Sequence, residues 1–181
     1  MNLTGISKFI SFILRHNKGE VDIKVDEHGW CNVDELIGVV AERNKGFDMS
    51  MLERIVAEDS KHRYSFNDDK TLIRANQGHS IAVDLDLKPV KPPTVLYHGT
   101  ASRFLDNIKK DGIKSMSRNH VHMSDSIENA FNIGKRHGHP IVLEIDTDSM
   151  YKDKYNFYRS ENGVWLTDFV PEKYILTVHG I

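Results

Sequence analysis

The chain has 181 residues, 39% of them hydrophobic and 28% charged, which is enough for one large or two small globular domains and too apolar for a disordered segment. Its formal charge is −2, and residues 1–80 carry eleven Lys/Arg against thirteen Asp/Glu, which excludes a protein that grips nucleic acid non-specifically through a basic surface. No apolar run approaches the roughly 20 residues of a membrane span. The N-terminus has no secretory pattern, and the lone Cys31 permits no internal disulfide, so a reducing, cytoplasmic setting is expected.

Apolar residues at 3, 6, 9, 10, 13 and 14 have helical spacing with one buried face, and Gly19 follows as a stop. Gly29-Trp30-Cys31 reads as a short strand or turn. Asn32-Val33-Asp34-Glu35 has the capping-box pattern ahead of a second helix, and Ser50-Met51-Leu52-Glu53 repeats it ahead of a third. Residues 63–66 and 71–74, around the polar turn Asn67-Asp68-Asp69-Lys70, read as a β-hairpin. Three helices followed by a hairpin is the order of a winged helix.

Lys88-Pro89-Val90-Lys91-Pro92-Pro93 cannot continue a helix or a central strand, so it is a stiff linker. The expected organisation is a first lobe over residues 1–86, a linker over 87–93 and a second lobe over 94–181.

The second lobe reads as strand-rich. A strand over residues 94–97 ends in His98-Gly99-Thr100, where a glycine between two hydrogen-bonding side chains would let a ligand approach the backbone. A helix over 104–110 closes at Gly112. Residues 120–124 alternate polar and apolar, so they predict a strand with His120 and His122 on one face and Arg118 beside them if the strand reaches back that far. Asp125 or Ser126 caps a helix running to Arg136. A strand over 141–145 follows, then a hairpin of residues 155–158 and 164–167 around Asn162-Gly163, and a last strand over 174–178.

Two imidazoles beside a guanidinium suit a phosphorylated ligand, although an edge strand with a solvated face would look the same. Arg15-His16 ends the first helix, where the helix dipole favours cations whether or not they bind an anion. Arg63 opens the hairpin, where a merely solvated arginine is the plain alternative. The His120/His122 and His137/His139 pairs have zinc-ligand spacing, but without a Cys pair or a His-Glu-x-x-His helix no metal is expected. No dinucleotide-binding or Walker-type glycine loop and no Gly-x-Ser-x-Gly elbow occurs.

Taken together, Ser11-Phe12-Ile13-Leu14-Arg15-His16, Gly29-Trp30, Arg63-Tyr64, residues 74–80, Leu96-Tyr97-His98-Gly99-Thr100, residues 117–124 and residues 162–167 resemble, in order, the RNA (tRNA) 2′-phosphotransferase family. One departure is Met123 where leucine is expected, a volume-conserving swap.

The resemblance implies an α+β fold. An N-terminal winged-helix, RNA-binding lobe would be joined to a C-terminal ADP-ribosyltransferase-like lobe of mainly antiparallel strands, with the site between the lobes. It implies transfer of an internal RNA 2′-phosphate, as left by splicing ligation of tRNA, to NAD+ consumed as co-substrate. It also implies Arg15, His16, Arg63 and Arg118 as the catalytic cluster, the first three on the RNA phosphate. Arg118 would bridge that phosphate and the nicotinamide ribose. His98, Gly99, Thr100, His120, His122 and Val164 would line the NAD+ site, Val164 standing where transferases acting on proteins often carry a glutamate. The expected state is a monomer with no membrane partner. Two rivals are an ADP-ribosyltransferase that modifies nucleic-acid phosphates or protein and stops after the first step, and a non-catalytic winged-helix nucleic-acid binder.

Overall fold

The computed structural model describes residues 2–180, a mixed α/β chain with six α-helices and antiparallel sheets among those residues. It divides into two compact units, one ending at Asp86 and the other beginning at Leu87. None of the described helices is long and apolar enough to cross a membrane.

The first unit runs α1 (Leu3–His16), β1 (Trp30–Asn32), α2 (Val33–Arg43), α3 (Met49–Glu58), β2 (Tyr64–Phe66) and β3 (Leu72–Ala75). Asn2 caps α1 by accepting from the Gly5 N–H at 3.1 Å, and the helix buries Ile6, Ile10, Ile13 and Leu14. Each such side chain contributes about 1.5–3 kcal/mol when fully buried. They pack with Cys31, Leu36, Val40, Leu52 and Ile73 in one core. Cys31 is an inert part of it, its thiol pushed up to about 12 first by burial.

Asn32 caps α2 through the Glu35 N–H at 3.1 Å, as its spacing predicts. The third helix differs: Asp48 accepts from the Met51 N–H at 2.9 Å and caps α3, so Ser50 already lies inside the helix. Asp48 offers the same side-chain acceptor two residues earlier, and the helix takes the first available start. The hairpin forms a three-stranded sheet of order β1-β3-β2, in which Trp30 lies opposite Arg74 and the guanidinium stacks on the indole at 4.5 Å.

The second unit contains β4 (Val95–Ala101), a 3₁₀ turn over Ser102–Phe104, α4 (Leu105–Asp111), β5 (Ile113–Lys114), β6 (Val121–Met123), α5 (Ile127–Gly134) and β7 (Pro140–Asp146). After these come α6 (Thr147–Lys152), β8 (Tyr158–Arg159), β9 (Trp165–Thr167), β10 (Phe169–Val170), a 3₁₀ turn over Glu172–Tyr174 and β11 (Ile175–His179). The strands form sheets β11-β7-β4, β6-β9-β8 and the pair β10-β5, all antiparallel. A core of Leu96, Ile141, Leu143, Ile145, Met150, Phe157, Trp165 and Val170 lies within this unit. Val90 ties the extended segment before β4 to the unit by donating to the Phe157 carbonyl at 2.8 Å.

Three expectations need correction here. First, His98-Gly99-Thr100 lies inside β4 and does not end it, and Gly99 serves helix packing. A Cβ there would sit 1.7 Å from the Ala130 carbonyl oxygen, so only glycine lets α5 lie on the strand. Second, the histidine strand covers only Val121–Met123. Arg118 sits in the preceding bend, its N–H bonded to the Ser115 carbonyl at 3.1 Å, and reaches His122 by its length and not by strand alternation. Third, the segment after β7 forms α6, with Asp146 accepting from the Ser149 N–H at 2.9 Å. Spacing predicts no helix there, because six residues are too few to show a period.

Candidate active site

Arg15 and His16 occupy the last turn of α1, their cationic groups at the negative end of the helix dipole. The helix stops because Asn17 turns the chain, accepting from the Gly19 and Val21 N–H groups at 3.3 and 3.0 Å. Arg63 lies elsewhere in the sequence, in the loop between α3 and β2. One polar segment, residues 76–81, links the two places. At its start Asn76 donates from its backbone to the Arg63 carbonyl at 2.8 Å and from its amide to the His62 carbonyl at 2.7 Å. At its end the Ser80 and Ile81 N–H groups donate to the Arg15 carbonyl at 2.9 and 3.3 Å. The Ser80 hydroxyl also holds His16 Nδ1 at 2.9 Å. That bond fixes the orientation of the imidazole plane.

Between these anchors, Gly78 has φ +89° and passes over the Arg15 guanidinium. His79 is buried, and its pKa is lowered to about 4, by burial first and then by Arg15, His16 and Arg74. It is therefore a neutral filler at neutral pH. The residues expected on an RNA phosphate, Arg15, His16 and Arg63, thus belong to one hydrogen-bonded frame. Residues 74–80 carry part of the family resemblance, but nothing in their sequence points to this framing role. The signal available was a run of polar residues and a glycine directly after a strand, where a plain loop would look the same.

The second unit holds the residues expected on NAD+. Tyr97 and Ser124 form a reciprocal bridge, each N–H to the other's carbonyl at 2.8 Å, which sets β4 against the end of β6. That bridge brings His98 Nδ1 to 2.8 Å from the His122 carbonyl. A carbonyl only accepts, so Nδ1 carries the proton and Nε2 is an acceptor. Burial lowers the pKa of His98, and the nearby His137 and Arg118 lower it further against the opposing carbonyl, so the ring is neutral.

Arg118 Nη1 lies 2.7 Å from His122 Nδ1. A guanidinium only donates, so His122 is neutral at Nδ1 and carries its proton on Nε2. The pair presents opposite functions: His98 an acceptor, His122 a donor. Arg118 lies at the surface with its guanidinium end partly stripped of water, which, with Arg136, lowers its pKa from the usual value. It stays cationic, because arginine deprotonates far above neutrality.

His120 is set apart from this group. Its ring meets Tyr158 edge-on at 5.7 Å, and its Nε2 lies 3.7 Å from Asp168. Thr100 is buried beside Gly99 in β4, and Val164 lies in the hairpin turn before β9, where its N–H and carbonyl are both bonded to Ser160. Trp165 follows it, buried, with Arg159 stacked on its ring at 5.4 Å.

A family model described as RNA 2′-phosphotransferase, Tpt1/KptA family, matches residues 2–169. A protein of Fusobacterium nucleatum named probable RNA 2′-phosphotransferase is 57% identical over 171 residues, covering 94% of this chain and 96% of its own. Proteins of the same name from Flavobacterium johnsoniae and Acaryochloris marina are each 47% identical, over 94% and 97% of this chain and 93% and 97% of their own lengths. This chain therefore belongs to the RNA 2′-phosphotransferase, Tpt1/KptA, family.

Proposed function

We propose that this protein removes an internal 2′-phosphate from RNA by transferring it to NAD+. The observation that carries the reading is the family match over residues 2–169. In this reading the first unit is a winged-helix lobe, supported by its α1-β1-α2-α3-β2-β3 order. The second is an ADP-ribosyltransferase-like lobe that takes NAD+.

The first step joins a 2′-phosphate oxygen to the anomeric carbon of the nicotinamide ribose and expels nicotinamide. In the second step the adjacent ribose 2″-hydroxyl attacks phosphorus, and the RNA 2′-oxygen leaves carrying the proton. The products are RNA with a free 2′-OH and ADP-ribose 1″,2″-cyclic phosphate. A phosphate is anionic at neutral pH, so the first step requires positioning and charge neutralisation and no carboxylate base. Arg15, His16 and Arg63 supply this to the RNA phosphate. In the second unit, Arg118 holds His122 as an Nε2–H donor toward NAD+. His98 offers an acceptor to a ribose hydroxyl, its tautomer set by the His122 carbonyl.

The test is incubation with NAD+ and an oligonucleotide bearing one internal 2′-phosphate. Nicotinamide and the cyclic phosphate are the expected products. Label retained on RNA as the end product identifies a transferase that stops at the first step. Arg118→Ala and His16→Ala are expected to abolish phosphate removal with unfolding midpoints within a few degrees of the parent. Near-normal turnover by both would overturn the assignment.

A further inference from the structure

Asp59 is the one acidic residue among the buried polar side chains described, 8% exposed, and it stands at the C-terminal end of α3. Both circumstances disfavour a carboxylate. Burial strips its hydration, and the helix dipole is negative at that end. Nothing in α3 offsets this, since its last turn has no basic residue. The compensation comes from the loop that follows. The Asp59 carboxylate accepts from the Lys61 N–H at 3.2 Å, from the Arg63 N–H at 2.6 Å, and from Arg63 Nη1 in a short ion pair. The loop folds back tightly enough for this because His62 takes φ +44°, a conformation an L residue adopts only at a cost. Asn76 closes the far side through the carbonyls of His62 and Arg63.

We infer that Asp59 is the positioning residue for Arg63, its buried carboxylate fixing the guanidinium that takes the RNA 2′-phosphate. The inference rests on the proposed function in taking Arg63 to face that phosphate. Asp59 holds the Nη1 end. A guanidinium has five N–H donors in a rigid fork, so groups on Nη2 and Nε remain for a phosphate. The Arg63 side chain is a third exposed while the Asp59 side chain is buried, so part of the arginine stays open to solvent beside a carboxylate that does not. Without Asp59 the arginine would regain the rotamer freedom of a surface side chain and meet the phosphate only part of the time.

Charge and positioning predict opposite results. A carboxylate near the site repels RNA, so removing its charge alone tightens binding of every oligonucleotide. Removing a positioning contact weakens binding of the phosphorylated one selectively. The experiment measures affinity, without NAD+, for two oligonucleotides of identical sequence, one with an internal 2′-phosphate and one with a 2′-OH at that position. The full chain is compared with Asp59→Asn, Arg63→Ala and the double variant. Asp59→Asn keeps an oxygen that accepts from the loop N–H groups, and thermal unfolding monitors the fold.

The expected result is a phosphate preference reduced about tenfold by Asp59→Asn, the loss of one well-aligned charge-assisted contact. Arg63→Ala is expected to reduce it at least as far, and the double variant no further than Arg63→Ala. An Asp59→Asn protein that keeps the parental preference overturns the inference while leaving the proposed function intact. So does one that loses it equally in the Arg63→Ala background, or one unfolded at the assay temperature, which makes Asp59 structural. A parent that binds both oligonucleotides equally overturns the phosphate reading and this inference with it.

Discussion

Acid should loosen the frame that carries Arg15 and His16, and His79 sets the scale. Its imidazole is 2% exposed, packed beside Gly29 and near Arg15, His16 and Arg74. The folded value of about 4 lies below the ordinary 6.5, so the unfolded chain takes the proton first. Stability from this group is therefore present in full above pH 6.5, falls as pH drops toward 4, and is level below that. At about 1.36 kcal/mol per pH unit, the whole window is worth about 3 kcal/mol, and about 2 kcal/mol of it is lost by pH 5. That is a large share of a domain stability of about 5–15 kcal/mol.

The assay is urea unfolding of the first unit followed by Trp30 fluorescence in a Trp165→Phe background, from pH 7.5 to 5. Parent and His79→Gln are compared by the change in stability with pH and not by its absolute value, which cancels the other histidines. The parent is expected to lose about 2 kcal/mol more than the variant over that interval. Equal losses would refute the reasoning.

Gly99→Ala should destabilise the second unit by more than about 3 kcal/mol, because the methyl group would fall on the Ala130 backbone and α5 must move; an unchanged urea midpoint read from Trp165 counts against it. Ser80→Ala removes the hydroxyl that orients His16 and should lower kcat for phosphate removal about tenfold with KM for NAD+ unchanged, measured by nicotinamide release. Arg63→Ala should slow the second step more than the first, since transesterification builds more negative charge on phosphorus. Accumulation of 2′-phospho-ADP-ribosylated RNA on a gel is the expected sign, and equal slowing of both steps contradicts it.

The local elements were largely legible because they follow from spacing and caps. The stripe of Ile6, Ile10, Ile13 and Leu14 announces α1, Asn32 announces α2, and Asn162-Gly163 announces the turn between β8 and β9. Arg15, His16, Arg63, Arg118, His98 and His122 were candidates from the sequence and its resemblance to a family. The reasons for their placement were not there to be read. Gly99 looked like an opening for a ligand and is an opening for α5, a difference that depends on where Ala130 comes to rest. Arg118 looked like a strand residue and works from a bend.

The sequence by itself determined two lobes around a proline-rich stretch, an even charge balance, and a scatter of candidate arginines and histidines. Only the tertiary structure decided which of them share a frame. Residues 76–81 hydrogen-bond to the loop of Arg63 at one end and to Arg15 and His16 at the other, contacts between positions as far apart as His16 and Ser80. It likewise decided the tautomers of His98 and His122, which depend on a carbonyl and a guanidinium that strand pairing and a bend bring within 2.8 and 2.7 Å. Spacing along a chain encodes the period of a helix or a strand. The direction of a hydrogen bond between distant residues exists only once the chain has folded.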